Sequence, residues 1–214
     1  MQLLIDSAII EEVRQAAEWG WVRSATTNPT LLAQSSLPPA DTLKEMEKIL
    51  PGNIFYQLTG NDLTCMQAEA NEAFDILGDK LVLKIPATPL GFLATAQLSK
   101  KYTCAVTSIF TASQAMVADN AGARYALYYH NRAKRLLPDG QGQQLPAELV
   151  NVLAGTDTQV VAASLKTPEE LVEARLAGVT ILSTKFDVLA LMPQHEFSEQ
   201  AVQEFKASGT GLLN

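Results

Sequence analysis

Lys80-Leu81-Val82-Leu83-Lys84-Ile85-Pro86-Ala87-Thr88 is an apolar run with one lysine where another aliphatic side chain would be expected. Leu81, Val82, Leu83 and Ile85 leave no polar alternation, so the run reads as a strand covered on both faces, as in parallel sheets flanked by helices. Lys84 then points into protein. A buried ammonium is costly, and the group responds by lowering its pKa, which yields a neutral amine able to attack a carbonyl and form a Schiff base. Two other readings remain open for a lone lysine in mid-strand: pairing with a buried carboxylate, and snorkelling of the amine to water at a strand end.

The 214 residues suit one large core, with 47% hydrophobic and 18% charged residues and a mean hydropathy of +0.06. These are values of a well-buried globular chain. A formal net charge of −7 without a basic block argues against general nucleic-acid binding and against attachment to anionic lipid. Cys65 and Cys104, the only cysteines, lie in apolar contexts and read as reduced, buried thiols. No signal-type segment or membrane-length apolar run is visible, and the expected location is the cytoplasm.

Strands and helices alternate along the chain. Short strands are predicted at Leu3–Ile5, Trp21–Ala25, Asn53–Leu58, Leu81–Ile85, Thr103–Ser108, Arg124–Tyr129, Thr158–Ser164 and Val179–Leu182, with amphipathic helical stretches between them. His130-Asn131-Arg132-Ala133-Lys134-Arg135 reads as a basic exit loop, and Pro138–Gly142 as the most loop-like segment. Eight such units average about 27 residues each, close to the minimum for an α/β (β/α)8 TIM barrel. The expected organisation is a single barrel domain over 1–214 with a C-terminal helical extension over 193–214. An open doubly wound sheet is the competing topology.

In a barrel the site gathers at the C-terminal ends of the strands. Asp6, Thr26, Asn28, Gln57, Lys84, Thr107, Tyr129, Arg132, Ser164 and Lys166 all fall in or just beyond predicted strands. Together they hold nucleophile, acid/base and anion-binding candidates, although Asp6 also reads as a helix cap, Asn28 as turn chemistry and Tyr128 and Tyr129 as packed strand residues. His130 and His195 read as surface polar groups. Neither has a nearby carboxylate pair at ligand spacing, so no metal is expected. No glycine-rich dinucleotide fingerprint is present either.

Thr26-Thr27-Asn28-Pro29, Val82-Leu83-Lys84-Ile85-Pro86, Tyr129-His130-Asn131-Arg132 and Ala162-Ala163-Ser164-Leu165-Lys166-Thr167-Pro168 resemble, in order and spacing, the signature segments of the small transaldolase family. Gln57, where transaldolases resemble one another in having glutamate, makes the chain most similar to the fructose 6-phosphate aldolase branch. The resemblance implies a Schiff base on Lys84 and proton handling by Tyr129 with Gln57 and Thr107 through a water. It further implies substrate hydroxyls on Asp6 and Asn28 with Thr26 beside them, and phosphate on Arg132, Ser164 and Lys166. No cofactor is implied. The expected activity is class I aldol cleavage or formation of a ketose or ketose phosphate. The alternatives are a transaldolase passing a dihydroxyacetone unit between sugar phosphates and a non-catalytic sugar-phosphate-binding barrel. The resemblance also implies a homo-oligomer, a pentamer or decamer, in which a C-terminal helix covers a neighbour. The chain departs from the family pattern in Arg132-Ala133-Lys134-Arg135, where an acid is usual shortly after the arginine, in Leu90-Gly91, where glutamate is common before the glycine, and at Lys185, near which proline is common.

Overall fold

The computed structural model describes residues 1–212. Eight parallel strands close into a barrel in strict chain order, β1 pairing with both β2 and β8. The expected TIM barrel is therefore the observed architecture, and the open sheet is excluded. The elements run β1 (Gln2–Asp6), α1 (Ile10–Glu18), β2 (Val22–Thr26), α2 (Pro29–Leu32), α3 (Pro39–Ile49), β3 (Ile54–Gln57), α4 (Leu63–Leu77), β4 (Leu81–Pro86), α5 (Pro89–Leu98), β5 (Cys104–Ile109), α6 (Ala112–Asn120), β6 (Tyr125–Tyr129), α7 (His130–Leu136), α8 (Gln141–Val152), β7 (Gln159–Leu165), α9 (Pro168–Leu176), β8 (Ile181–Thr184), α10 (Phe186–Leu191) and α11 (Glu196–Ser208).

Helix starts are written plainly in the chain. Asn28, Asp62, Thr88, Thr111 and Thr167 each hold an extended backbone and accept a hydrogen bond from the backbone N–H three residues on. Pro29, Pro89 and Pro168 occupy the first helical position, where a missing N–H costs nothing. One glycine is demanded by close approach. A Cβ on Gly91 would meet the Pro86 carbonyl oxygen at 1.9 Å, so α5 can fold back onto the exit of β4 only without a side chain there.

Strand alternation divides the core into an inside and an outside. Leu4, Phe55, Val82, Ala105, Tyr125, Leu127, Val161, Ala163 and Ile181 form one cluster filling the barrel. Two larger clusters lie between strands and helices, one centred on the β1–β4 half and one on the β5–β8 half. Two strands break their alternation near the exit. Ser108 and Ser164 adopt φ of +63° and +59°, and the pairing of β5 with β6 and of β7 with β8 shifts at those points. Each bulge sends the next residue, Ile109 or Leu165, outward into the helix-facing core.

Several local expectations change. The basic stretch His130–Arg135 is helical, forming most of α7, because His130, Ala133 and Leu137 supply an inward face at helical spacing that the charges disguise. His130 is consequently buried, its Nδ1 3.1 Å from the Tyr128 hydroxyl and its Nε2 3.4 Å from Glu173. Burial holds its pKa below the usual histidine value, against the pull of Glu173. The loop-like stretch at Pro138–Gly142 is a tight turn through Asp139 and Gly140, both at positive φ, and α8 begins at Gln141. β8 lies about two residues later than expected. Cys104 is buried, whereas Cys65 is exposed, since α4 turns Met66, Ala70, Ala73 and Leu77 inward instead.

Candidate active site

Following each inward-facing position one step further along its strand leads to the mouth of the barrel. Leu4 is followed by Asp6, Phe55 by Gln57, Val82 by Lys84, Ala105 by Thr107 and Leu127 by Tyr129. The side chains that alternation aims inward thus become polar at the C-terminal ends, where a barrel opens. A cavity of about 500 Å³ occupies this end, lined by Asp6, Asn28, Gln57, Lys84, Tyr129, Arg132, Ser164 and Lys166 among others.

Lys84 lies at the floor, 3% exposed. Its Nζ donates a 2.6 Å hydrogen bond to the Thr27 carbonyl oxygen. Burial lowers its pKa from the ordinary lysine value, while Tyr129 and Asp6 partly oppose the shift. No carboxylate forms an ion pair with it among the described residues. The amine is therefore neither snorkelled to solvent nor charge-paired, and it faces a cavity.

Thr26 and Thr107 stand behind the lining. The Thr26 hydroxyl donates to Asp6 Oδ1 at 2.6 Å. Since that uses its only proton, the Ser183 hydroxyl, also 2.6 Å away, donates to Thr26. This chain of hydroxyls fixes the carboxylate of Asp6. The Thr107 hydroxyl donates to the Tyr129 phenol oxygen at 3.2 Å, leaving the phenolic proton free to point elsewhere. Asn28 caps α2 through its Oδ1, which accepts from Leu31 N at 3.0 Å, and its amide NH2 remains for the cavity.

The other side of the mouth is cationic. The Arg132 guanidinium lies 4.8 Å from the centroid of the Tyr129 ring, a cation–π contact that holds the fork over the cavity. The bulge at Ser164 turns that residue and Lys166 toward the mouth while Leu165 packs outward. Lys185, immediately after β8, also lines the cavity. It lies beyond the strand predicted to end at Leu182, and two signals mark it in the sequence: its charge and its place at a departure from the family pattern. Pro29, Thr30, Leu31 and Gln34 add a wall from around α2 that strand periodicity does not register. Arg132, Lys166 and Lys185 form no ion pair among the described residues, whereas the neighbouring Lys134 pairs with Glu173 at 2.7 Å. The described residues contain no cluster of three or more metal-ligating side chains and no helix long and apolar enough to cross a membrane.

The likeness to solved structures is one of fold. A mandelate oxidase matches with a TM-score of 0.65 over 95% of this chain and 70% of its own, at 15% identity. Sequence relatives are nearer. A "Probable transaldolase" of Kosmotoga olearia is 32% identical over 221 residues, covering 99% of this chain and 100% of the relative. A "Probable transaldolase" of Symbiobacterium thermophilum is 33% identical, covering 96% and 95%. The family model "Transaldolase/Fructose-6-phosphate aldolase" matches residues 3–211. A barrel with a buried lysine at its mouth and a family match along nearly its whole length has one conclusion: the chain belongs to the transaldolase/fructose-6-phosphate aldolase family.

Proposed function

We propose that the chain is a class I aldolase of the fructose 6-phosphate aldolase kind, cleaving or forming a ketose or ketose phosphate through an iminium on Lys84. The observation that carries this reading is the buried amine of Lys84, held below the ordinary lysine pKa and facing a cavity it shares with Tyr129, Gln57 and Asp6. Neutral Lys84 attacks the ketose carbonyl, and the carbinolamine loses water to give a protonated imine. Asp6, the one carboxylate lining the cavity among the described residues, accepts the proton of the adjacent hydroxyl as the carbon–carbon bond breaks. The bonding electrons pass into the iminium, the aldehyde leaves and an enamine remains on Lys84.

The fate of that enamine separates the two activities of the family. Protonation followed by hydrolysis completes aldol cleavage, whereas capture by an acceptor aldehyde completes transfer. Glutamine at position 57 can orient a water but cannot take its proton, which leaves the Tyr129 phenol as the proton source through that water. This favours cleavage. The names of the relatives favour transfer, as the second reading. Incubation with fructose 6-phosphate alone separates them. An aldolase releases dihydroxyacetone at a steady rate without acceptor, and a rate that appears only on adding an acceptor aldehyde establishes the transferase.

A further inference from the structure

Glu170 occupies the third position of α9, three residues after the capping Thr167. In that pattern the carboxylate ordinarily reaches back to the backbone N–H of the cap itself, closing a local box. Here it does something else. Glu170 Oε2 accepts from Lys166 N, one residue before the cap, at 2.7 Å, and Oε1 accepts from Asn131 Nδ2, on α7, at 2.9 Å. The side chain is thus shared between two elements far apart in sequence.

The burial is costly. Glu170 is 8% exposed and forms no ion pair with a lysine or arginine among the described residues. Two neutral N–H donors and the N-terminal end of α9 are what compensate it. A local cap needs only Thr167, whose Oγ1 accepts from Glu170 N at 3.3 Å. Both segments held by the carboxylate carry cavity cations: Asn131 directly precedes Arg132, and Lys166 follows Ser164 by two residues. A second anchor, the Thr184 hydroxyl on the Leu165 carbonyl at 2.8 Å, fixes the same β7 exit from its other flank.

We propose that Glu170 is a positioning residue for anion recognition. One oxygen sets the α7 segment bearing Arg132 and the other sets the β7 exit bearing Ser164 and Lys166, so that the two halves of a phosphate cradle keep a fixed separation. This rests on the reading of the cavity as a sugar-phosphate site, and its substrate class is a phosphorylated aldehyde or ketose. Oxygens of a phosphate are met by a guanidinium and by donors of a different element, so a small change in separation loses bonds on one side or the other.

The test is synthesis from dihydroxyacetone with either D-glyceraldehyde 3-phosphate or D-glyceraldehyde as acceptor. Glu170→Ala raises KM for the phosphorylated aldehyde about tenfold, while KM and kcat for the unphosphorylated one stay within about twofold. Asn131→Ala gives part of the same shift and leaves folding less exposed to the substitution. The double variant goes no further than Glu170→Ala, since the one contact Asn131 contributes is already lost with the carboxylate. Glu170→Gln, which keeps an acceptor for one donor, recovers part of the affinity. Equal KM changes for the two aldehydes, a loss of kcat shared by both, or additive single effects would overturn the proposal and leave Glu170 a helix cap. A wild type with no preference for the phosphorylated aldehyde would overturn it through the cradle itself. Borohydride trapping of Lys84 with dihydroxyacetone, followed in parallel, reports separately on the Schiff-base reading.

Discussion

Lys84 Nζ donates to the carbonyl oxygen of Thr27 at 2.6 Å, joining the exit of β4 to the exit of β2 past the strand between them. A carbonyl orients the amine without supplying a counter-charge, so the lysine is aimed but its ammonium is not stabilised by an ion pair. Borohydride added with a ketose is accordingly expected to label Lys84 alone. Peptide mapping checks it, and label on Lys166 or Lys185 with Lys84 untouched would defeat the assignment. Lys84→Met is expected to abolish both labelling and turnover.

Because burial lowers the Lys84 pKa, the neutral amine is present at lower pH than for an exposed lysine. The kcat/KM for ketose should rise with pH through a midpoint below 10.5, the ordinary value. The unfolded chain keeps the lysine proton up to that ordinary value, and the folded chain releases it earlier. Stability carried by this group therefore falls as pH drops below the ordinary value and levels off beneath the folded pKa. Lys84→Met removes that dependence, which thermal melting across pH measures.

At the cationic side of the mouth, Arg132→Ala is expected to raise KM for phosphorylated substrates by about tenfold or more, consistent with losing charged hydrogen bonds, and to change unphosphorylated ones little. Lys185→Ala should give a smaller shift of the same sign, because its ammonium is exposed and hydrated. Lys134→Ala should leave the ratio unchanged, since that amine is engaged with Glu173. Parallel kinetics on both substrate types decide the matter.

Gly91→Ala places a methyl group against the Pro86 carbonyl at the exit of the lysine strand. A loss of about 1–3 kcal/mol is expected from the forced displacement. Denaturant unfolding reads it, and kcat should fall too, because Pro86 is two residues from Lys84.

A homo-oligomer is proposed from α11. Phe197 and Phe205 on this helix are 65% and 73% exposed, and Val202 is 49% exposed. Aromatic surface of this kind needs a partner, and a neighbouring copy is the one the family resemblance implies. Light scattering should give a multiple of the 23.1 kDa chain, a pentamer or decamer, and removal of the residues after Pro193 should dissociate it. A monomeric full-length chain would refute this.

The barrel was legible because its signals are local and repeat. Unbroken apolar runs such as Leu81–Leu83 mark covered strands, and Thr88, Thr167 and the prolines after them mark helix starts. Lys84 stood out because charge within such a run is anomalous. What escaped has non-local causes. Lys185 depends on where β8 ends, which is fixed by pairing with β1 and β7. His130 reads as polar surface until Tyr128 on one side of its ring and Glu173 of α9 on the other close around it. Glu170 looks like an ordinary cap residue in sequence, and only the approach of α7 brings Asn131 to its second oxygen.

The left-handed serines at 108 and 164 carry a consequence for how this barrel tolerates change. Upstream of each, a substitution alters a side chain wedged in the core and is felt as stability. Downstream of Ser164, Lys166 projects from backbone already released from the alternation, so its identity is nearly independent of the packing beneath it. A screen varying Lys166 with Lys185 should therefore explore charge and size at little cost in folding, provided Ser164 itself is kept or made glycine. A β-branched residue at 164 would instead resist the left-handed turn and bring the mouth back under the control of the core.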